Sequence, residues 1–440
     1  MRQNLLETYS RQLKVAEAYV AKNFEGKTMS SNTALTTAVL LDNTNRWITE
    51  SLENTLGATN RGDMGAWKKF CLNLTNIAVP SLIANDLVIV HPMTSYSGSV
   101  AYLKYVALTD KNGMQGKTLN SVFAHGEMND ARMSYTSQVI IEEGAAPTMD
   151  VDTDKKRFYD RDAQEARAIK VVRADGTVEY VDTVEAINSD AKKIAYFARD
   201  YEFQMEQVPA QNIPVIGPKM EHIPLVAEPR RIAVRYDQIT AFQAKTDYGF
   251  SLDKQIAEQA CGELAYEIDT EIVGMLYEAA FAHGEDEVLT WSKTLPVGVS
   301  KFEHYNGFLE IVEMAKAVIY NRTKKFHPNY MVIASDVLPV LRFVNGFTAA
   351  KNAKMNGPYK VGELDGLNVY VSPMLKPGEF FLGLNGNDMM SSAGVYAPYM
   401  AIVPTQLLGT PDGGLAQGFS TWYAKALLND CLLVAGRIEA

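Results

Sequence analysis

The stretch that decides the fold is residues 251–282, SLDKQIAEQACGELAYEIDTEIVGMLYEAAFA. Its apolar side chains recur at four-residue spacing, which predicts an α-helix with Ser251 as N-cap and Asp253 in the first turn. At about 1.5 Å per residue this helix would be about 45 Å long, unusual for an ordinary globular domain. A four-residue repeat drifts around a helix of about 3.6 residues per turn. The apolar stripe therefore winds around the helix, and we expect different partners to pack along its length.

The sequence after this helix alternates between helical and strand-like patterns. A second amphipathic helix is predicted at 308–320 and a short one at 336–343. Strands are predicted at 330–334, 367–371, 380–384 and 395–403, followed by a final strand pair at 420–427 and 431–435. The C-terminal third is therefore predicted to be a mixed α/β domain.

The sequence before the long helix has less apolar content. Residues 1–22 predict an amphipathic helix, whereas 23–65 are polar with a short helical patch at 47–52, typical of an arm that lies on something else. A buried strand is predicted at 87–90. Asp175-Gly176 between two strand-like runs predicts a hairpin, and five prolines within 207–231 predict extended backbone.

The composition is that of a globular protein. The 440 residues are 47% hydrophobic, and 42 basic against 52 acidic side chains give a net charge of −10. Bulk disorder is excluded, and the acidic balance argues against a broad phosphate-binding surface. The three cysteines predict buried free thiols. Charges interrupt the N-terminal segment and apolar runs are short, so we expect a soluble protein made in the cytoplasm, without a membrane span.

The motifs that could carry chemistry are weak. Gly113-Met-Gln-Gly116-Lys117-Thr118 resembles a phosphate-binding loop, but the required first glycine position holds Lys111, so a surface turn is favoured. The acidic run 150–154 lacks the glycine and glutamate of a calcium loop, and the histidines lack metalloprotease spacing. Glu263, Glu267 and Glu271 are interpreted as a solvent or interface face of the helix. We predict no catalytic, cofactor-binding or metal site and no cofactor.

Specific strings resemble the major capsid proteins of T-even-like tailed phages, in the family's order over about residues 78 to 430. Ala78-Val-Pro-Ser-Leu-Ile-Ala-Asn-Asp86, Val90-His-Pro-Met-Thr94 and Ser97-Gly-Ser-Val-Ala-Tyr-Leu103 resemble the segment that leads into their extended loop. Glu263-Leu-Ala-Tyr-Glu-Ile-Asp-Thr-Glu-Ile-Val273 is similar to their spine helix. Further similar strings are Asn329-Tyr-Met-Val-Ile-Ala-Ser335, Leu367-Asn-Val-Tyr-Val-Ser-Pro373, Ala393-Gly-Val-Tyr-Ala-Pro-Tyr-Met400 and Gly418-Phe-Ser-Thr-Trp-Tyr423.

The resemblance implies an α+β chain with the Hong Kong 97-type capsid fold. Its parts would be an N-terminal arm (1–85), an extended β-hairpin loop (86–245) with an insertion at about 110–200, a peripheral domain (246–300) with the spine helix at about 251–282, an axial domain (301–425) and a C-terminal return strand of the peripheral domain (426–440). The family's maturation protease cuts after Ile/Leu-x-Glu, a pattern that Leu5-Leu-Glu7 and Ile48-Thr-Glu50 fit. Both outcomes stay open, and we expect no cut after Glu50.

The implied function is structural. The chain would self-assemble into hexameric capsomers of an icosahedral head that encloses double-stranded DNA without sequence-specific binding. Its partners would be copies of itself, with vertex, portal, scaffold and decoration proteins, in a virion capsid assembled in the host bacterial cytoplasm. Alternatives are a pentameric vertex paralogue, an encapsulin-like shell protein and, more remotely, an NTP-binding enzyme that uses Gly116-Lys117-Thr118.

Overall fold

The architecture comes from a computed structural model, which describes only part of the chain. The described residues are 2–23, 29–54, 71–72, 74–76, 78–80, 82–108, 118–119, 140–141, 158–160, 165–167, 169–172, 178–181, 194–197, 215–247, 249, 252–284, 287–323, 325–350, 357–386, 388–405, 408–409 and 414–439. They form two compact units, one made of residues 1–102 and 222–440, the other of residues 103–221.

The described helices concentrate in the larger unit. They are α1 (Arg2–Thr8), α2 (Ser10–Asn23), α3 (Ser31–Asn54), α4 (Ala84–Leu87), α5 (Gln238–Asp247), α6 (Leu252–Phe281), α7 (Lys301–Asn306), α8 (Phe308–Thr323) and α9 (Leu338–Leu341). Short 3₁₀ turns occupy Met389–Ser391 and Asp430–Leu432. The long helix α6 confirms the prediction from the four-residue repeat, with 30 residues.

The larger unit holds two sheets. In the first, which we call the α6 sheet, the order is β1 (Ile89–Val90), β18 (Gly394–Pro404), β20 (Gly414–Leu427) and β11 (Glu228–Asp237), with β19 (Leu408–Gly409) also paired to β20. The second is mixed and seven-stranded, in the order β12 (Leu289–Ser292), β21 (Val434–Glu439), β17 (Glu379–Gly383), β13 (Tyr330–Ile333), β16 (Leu367–Val371), β15 (Tyr359–Leu364) and β14 (Phe347–Ala349). The α+β class is confirmed.

The smaller unit consists of short strands. One sheet has the order β4 (Ile140–Ile141), β9 (Ile194–Phe197), β7 (Ile169–Val172) and β8 (Val178–Val181), and β5 (Phe158–Asp160) pairs with β6 (Glu165–Arg167). A further sheet orders β10 (Ile216–Val226), β2 (Ser97–Ala107) and β3 (Thr118–Leu119), with β10 and β2 extending into the larger unit. The antiparallel pairing of β7 with β8 confirms the predicted hairpin.

The N-terminal arm differs from its prediction. The sequence predicted a short helical patch at 47–52, whereas α3 has 24 residues and begins at Ser31. It buries Leu40 against Val79 and Ala401 of its own chain. The helix was predicted too short because of its threonines, which make the segment look polar. Thr36, Thr37 and Thr44 are nevertheless buried, since each donates its hydroxyl to the carbonyl four residues earlier.

The C-terminal strands are also distributed differently. Residues 420–427 and 431–435 were predicted to pair, and this is wrong: β20 pairs with β18 and β11, while β21 pairs with β17 and β12. Residues 430–432 form a 3₁₀ turn that redirects the chain between the sheets. Strands β18 and β20 lie along α6 in the α6 sheet, and β21 joins the seven-stranded sheet. The assignment of these parts to capsid domains stays a prediction.

Candidate assembly interface

An open groove of about 630 Å³ runs along α6 in the larger unit. The long helix forms one wall, the strand residues Arg230, Ile232 and Lys425 another, and Met374 lies at its edge. The helix contributes Glu263, Tyr266, Glu267, Thr270, Glu271, Gly274, Met275 and Glu278. Four carboxylates against two cations leave the lining with a net charge of −2.

Glu271 is the electrostatic centre of one groove wall. Its Oε1 lies 2.8 Å from Arg230 Nη2 and 2.8 Å from Lys425 Nζ, and its Oε2 accepts a hydrogen bond from the Tyr423 hydroxyl. Burial alone would raise the pKa of Glu271, but the hydrogen bonds from Arg230, Lys425 and Tyr423 outweigh it and lower the pKa to about 2. Glu271 was interpreted as part of a solvent or interface face; it does line the groove, and its ion pairs also anchor β11 and β20 on α6.

The neighbouring glutamates along the helix are different. Glu263 and Glu267 are exposed, as is Glu278 one turn beyond Gly274. Tyr266 between them is 40% exposed, and Met374 across the groove is 49% exposed. The groove therefore combines an acidic rim with two large apolar side chains. This composition suits a protein segment, since small-molecule pockets are mostly enclosed and apolar.

Strand β11 is held on α6 through one face only. Its side chains alternate between exposed and half-buried positions, so Ile232 and Val234 pack against the core formed by α6, Phe419 and Ile402. Arg231 and Arg235 point to the opposite, exposed face. The prolines within 207–231 predicted extended backbone, and β11 begins inside that stretch. Its ionic contact with Glu271, 41 residues away in sequence, had no local signal.

Strand β10, which has residues in both units, carries apolar side chains that are exposed to solvent. Met220 is 61% exposed and lies in the smaller unit, and Val226 is 52% exposed and lies in the larger one. Both belong to the stretch 207–231, which the prolines predicted to be extended. Strand β10 thus leaves one large apolar side chain exposed in each unit.

The arm has its own polar attachment. Asn43, buried within α3, donates its side-chain amide to the carbonyls of Met93 and Tyr399, at 2.8 and 2.7 Å. Tyr9 at the junction of α1 and α2 donates to Asp42 of α3 at 3.2 Å. The first two helices are thus tied to α3, and α3 is tied to the α6 sheet.

The structure describes only some of the residues that sequence motifs singled out. Residues 111–117 and 150–154 lie outside the described residues. Thr118 lies in β3, beside Leu119. His283 is half-buried, and its Nε2 lies 3.0 Å from the Asp430 carbonyl oxygen. Among the described residues, no cluster of three His, Cys, Asp or Glu side chains has metal-binding geometry.

The three cysteines are buried, as predicted. Burial is the largest cause of a pKa raised to about 12 at each thiol, Cys71, Cys261 and Cys431. Within the described part of the chain, no helix is long and apolar enough to span a membrane.

Comparison with known proteins assigns the family. A sequence model described as the major capsid protein Gp23 matches residues 64–435, far more than half of the chain. The chain belongs to the Gp23 family of major capsid proteins. The predicted resemblance to T-even-like phage capsid proteins is thereby confirmed, and the function of this Gp23-family chain is that of a phage capsid protein.

Individual relatives of the Gp23-family chain are distant. The major capsid protein of Escherichia phage AR1 is 21% identical over 395 residues, which cover 80% of this chain and 73% of the relative. That of Enterobacteria phage T6 is 22% identical over 395 residues, covering 80% and 76%. A solved chain from Microbacterium phage Oxtober96 aligns at 12% identity and a TM-score of 0.40, covering 81% of this chain and 91% of that one. The SrpI encapsulin of Synechococcus elongatus aligns at 10% identity and a TM-score of 0.32, covering 61% and 81%.

Proposed function

We propose that this chain builds the hexameric capsomers of an icosahedral phage head with the Hong Kong 97-type fold, and that copies join by laying the β10 strand of one subunit across α6 of the next. The head encloses double-stranded DNA without reading its sequence, and the chain performs no chemical reaction. Assembly takes place in the host cytoplasm, with vertex, portal, scaffold and decoration proteins completing the head.

One observation carries this proposal: an open groove and an uncovered strand occur on the same chain. The groove presents Tyr266 and Met374 between carboxylates. The strand presents Met220 in the smaller unit and Val226 in the larger one, while Lys219, which precedes Met220, forms an ion pair with Glu221 at 3.3 Å. Exposed apolar side chains such as these are typical of the centre of a protein interface.

A contact between two different patches repeats around a ring. Such a heterologous interface closes when the rotation between neighbours divides a full turn, as it does in a hexamer. Each contact can be weak, because all of them form together. At about 25 cal/mol per Å² of buried apolar area, even a few hundred Å² per contact stabilises the ring by several kcal/mol.

The N-terminal arm stays part of the subunit and is not removed by proteolysis. A cut after Glu50 would fall inside α3, two residues after Ile48, which is buried against the chain's own residues. We therefore expect the arm to stay attached in the mature shell. Mass spectrometry of purified particles tests this, since a chain beginning at residue 51 would contradict it.

The test of the interface is charge reversal in the groove. Glu263→Lys with Glu267→Lys turns the acidic rim basic without touching buried residues. Electron microscopy should show shells for the natural chain and dispersed subunits for this variant at the same concentration. Glu310→Lys is the matched control, because Glu310 in α8 is exposed and does not line the groove. Shells from all three proteins would overturn the groove as an interface, and dispersed natural subunits at every concentration would overturn self-assembly itself.

A further inference from the structure

The turn between β12 and α7 exposes an apolar surface. Leu295, Val297 and Val299 are 46%, 104% and 38% exposed, and Phe302 and Phe343 are 50% and 45% exposed. We call these five side chains the turn patch. Their exposed apolar area is roughly 400 Å², which is within the ~300–600 Å² of the largest patches on monomeric proteins, patches that are often functional.

The backbone holds the turn patch in one shape. The Val299 N–H donates to the Pro296 carbonyl at 3.3 Å, and Gly298 has φ 90° at the third position of this β-turn. A type II turn requires such a positive φ, which glycine adopts without strain. Val297 at the second position is therefore held outward, as exposed as in an extended chain.

Both ends of the turn are also anchored. On the strand side, the Lys293 N–H donates to the Glu439 carbonyl at 2.8 Å. On the helix side, Ser300 and Glu303 form a capping box, with the Ser300 hydroxyl accepting from the Glu303 N–H at 3.2 Å. Beneath it, Trp291 packs against Tyr305 and Phe308. An anchored turn loses little entropy on binding, which favours contact.

The charge around the turn patch identifies the kind of surface that covers it. Residues 293–303 contain Lys293, Lys301 and one acidic residue, Glu303, whose carboxylate accepts hydrogen bonds from Ser300 in the capping box. The Lys301 ammonium lies 5.2 Å from the Tyr305 ring centroid and 5.7 Å from that of Phe343, at the border of the patch. A basic rim around an apolar centre is complementary to an acidic protein surface, and a second copy of this chain, with a net charge of −10, offers one.

We propose that the turn patch is a second contact between copies of this chain, separate from the groove along α6. The inference rests on the proposed self-assembly. A stable interface buries about 800 Å² per partner, so the patch supplies roughly half of that and cannot hold two copies together by itself. It adds to the groove contact once subunits are arranged in a ring.

The test uses two substitutions at Val297. Because this side chain is fully exposed, Val297→Asp and Val297→Ile should both unfold at the temperature of the natural chain. Val297→Asp should need about a 10-fold higher subunit concentration for half-assembly, the ratio that corresponds to about 1.4 kcal/mol, whereas Val297→Ile should assemble like the natural chain. Light scattering against concentration gives the midpoint.

A photo-crosslinking residue at position 297 identifies the partner. In particles made from the purified chain alone, irradiation should give covalently linked pairs of copies. Normal assembly of Val297→Asp, or particles in which position 297 forms no such link, would overturn the inference while leaving self-assembly intact. Failure of the natural chain to assemble would overturn the proposed function, so the two failures are distinguishable.

Discussion

Replacing Glu271 by glutamine removes the charge that ties β11 and β20 to α6 while keeping the shape of the side chain. In the natural chain the pKa of Glu271 falls from 4.5 to about 2, because hydrogen bonds from Arg230, Lys425 and Tyr423 outweigh the opposing effect of burial. At about 1.4 kcal/mol per pKa unit, this shift corresponds to ~3 kcal/mol of folding free energy at neutral pH. The carboxylate is 23% exposed, so solvent screens part of the interaction. We expect Glu271→Gln to cost about 2 kcal/mol.

The direction of the Glu271 pKa shift determines how the free energy of unfolding changes with pH. A carboxylate whose folded pKa is depressed stabilises the protein above its unfolded pKa, and this stabilisation disappears as pH falls through the folded value. The stability difference between the natural chain and Glu271→Gln should therefore be full at pH 7 and shrink as pH falls from about 4.5 towards 2.

Urea unfolding followed by tryptophan fluorescence measures this difference at several pH values. Glu267→Gln is the control one helical turn away: Glu267 is exposed, and its substitution should change stability by less than about 0.5 kcal/mol. A Glu271→Gln variant as stable as the control at pH 7, or a difference that grows in acid, would refute the role given to Glu271.

Three further predictions concern the arm, a turn and the thiols. Asn43→Ala should cost about 1–3 kcal/mol, because it leaves the buried carbonyls of Met93 and Tyr399 unpaired; faster amide exchange in α3 than in α8 would show the arm loosening, and equal exchange would contradict it. Gly366→Ala should lower stability by about 1 kcal/mol, since Gly366 has φ 78° in the turn between β15 and β16; Gly262→Ala, in α6 with open space for a methyl group, is the control that should not destabilise. The thiols of Cys71, Cys261 and Cys431 should resist a thiol reagent at pH 8 until urea unfolds the chain, because burial raises each pKa to about 12; rapid labelling of the native protein would contradict this.

Local sequence patterns predicted the helices and strands whose conformation is determined by residues close together in the sequence. The four-residue apolar repeat predicted a helix at 251–282, which agrees with α6 (Leu252–Phe281) to within one residue at each end. The prediction succeeds because each turn of a helix repeats the same apolar spacing as the turn before it. The prolines near 207–231 likewise indicated extended backbone, and β10 and β11 occupy its second half. In such elements the local preference and the final structure agree.

Elements decided by distant contacts were missed. Residues 31–46 looked polar, but α3 buries threonines whose hydroxyls are satisfied within the helix, a compensation that composition does not show. Residues 420–435 looked like two consecutive strands of one sheet, yet β20 and β21 belong to different sheets because each finds partners far away in sequence. Strand pairing depends on tertiary packing more than on the strand's own residues.

The candidate interface was predictable only in part. The four-residue stepping of Glu263, Glu267 and Glu271 indicated a common face on α6, and the structure places all three in the groove. It did not indicate that Glu271 alone is bound by Arg230 and Lys425, since those cations arrive from strands 41 and 154 residues away. The turn patch was not predicted, because the sequence does not show that Phe343, from a later segment, lies beside Lys301 and Tyr305 of α7.

Cryo-electron microscopy of particles formed by the purified chain tests the central claim most directly, by showing what lies over α6. The account predicts shells with this chain at sixfold positions and with density for a neighbour's β10 strand beside Tyr266 and Met374. A shell in which this face of α6 is bare, or in which the chain occupies fivefold positions only, would contradict it.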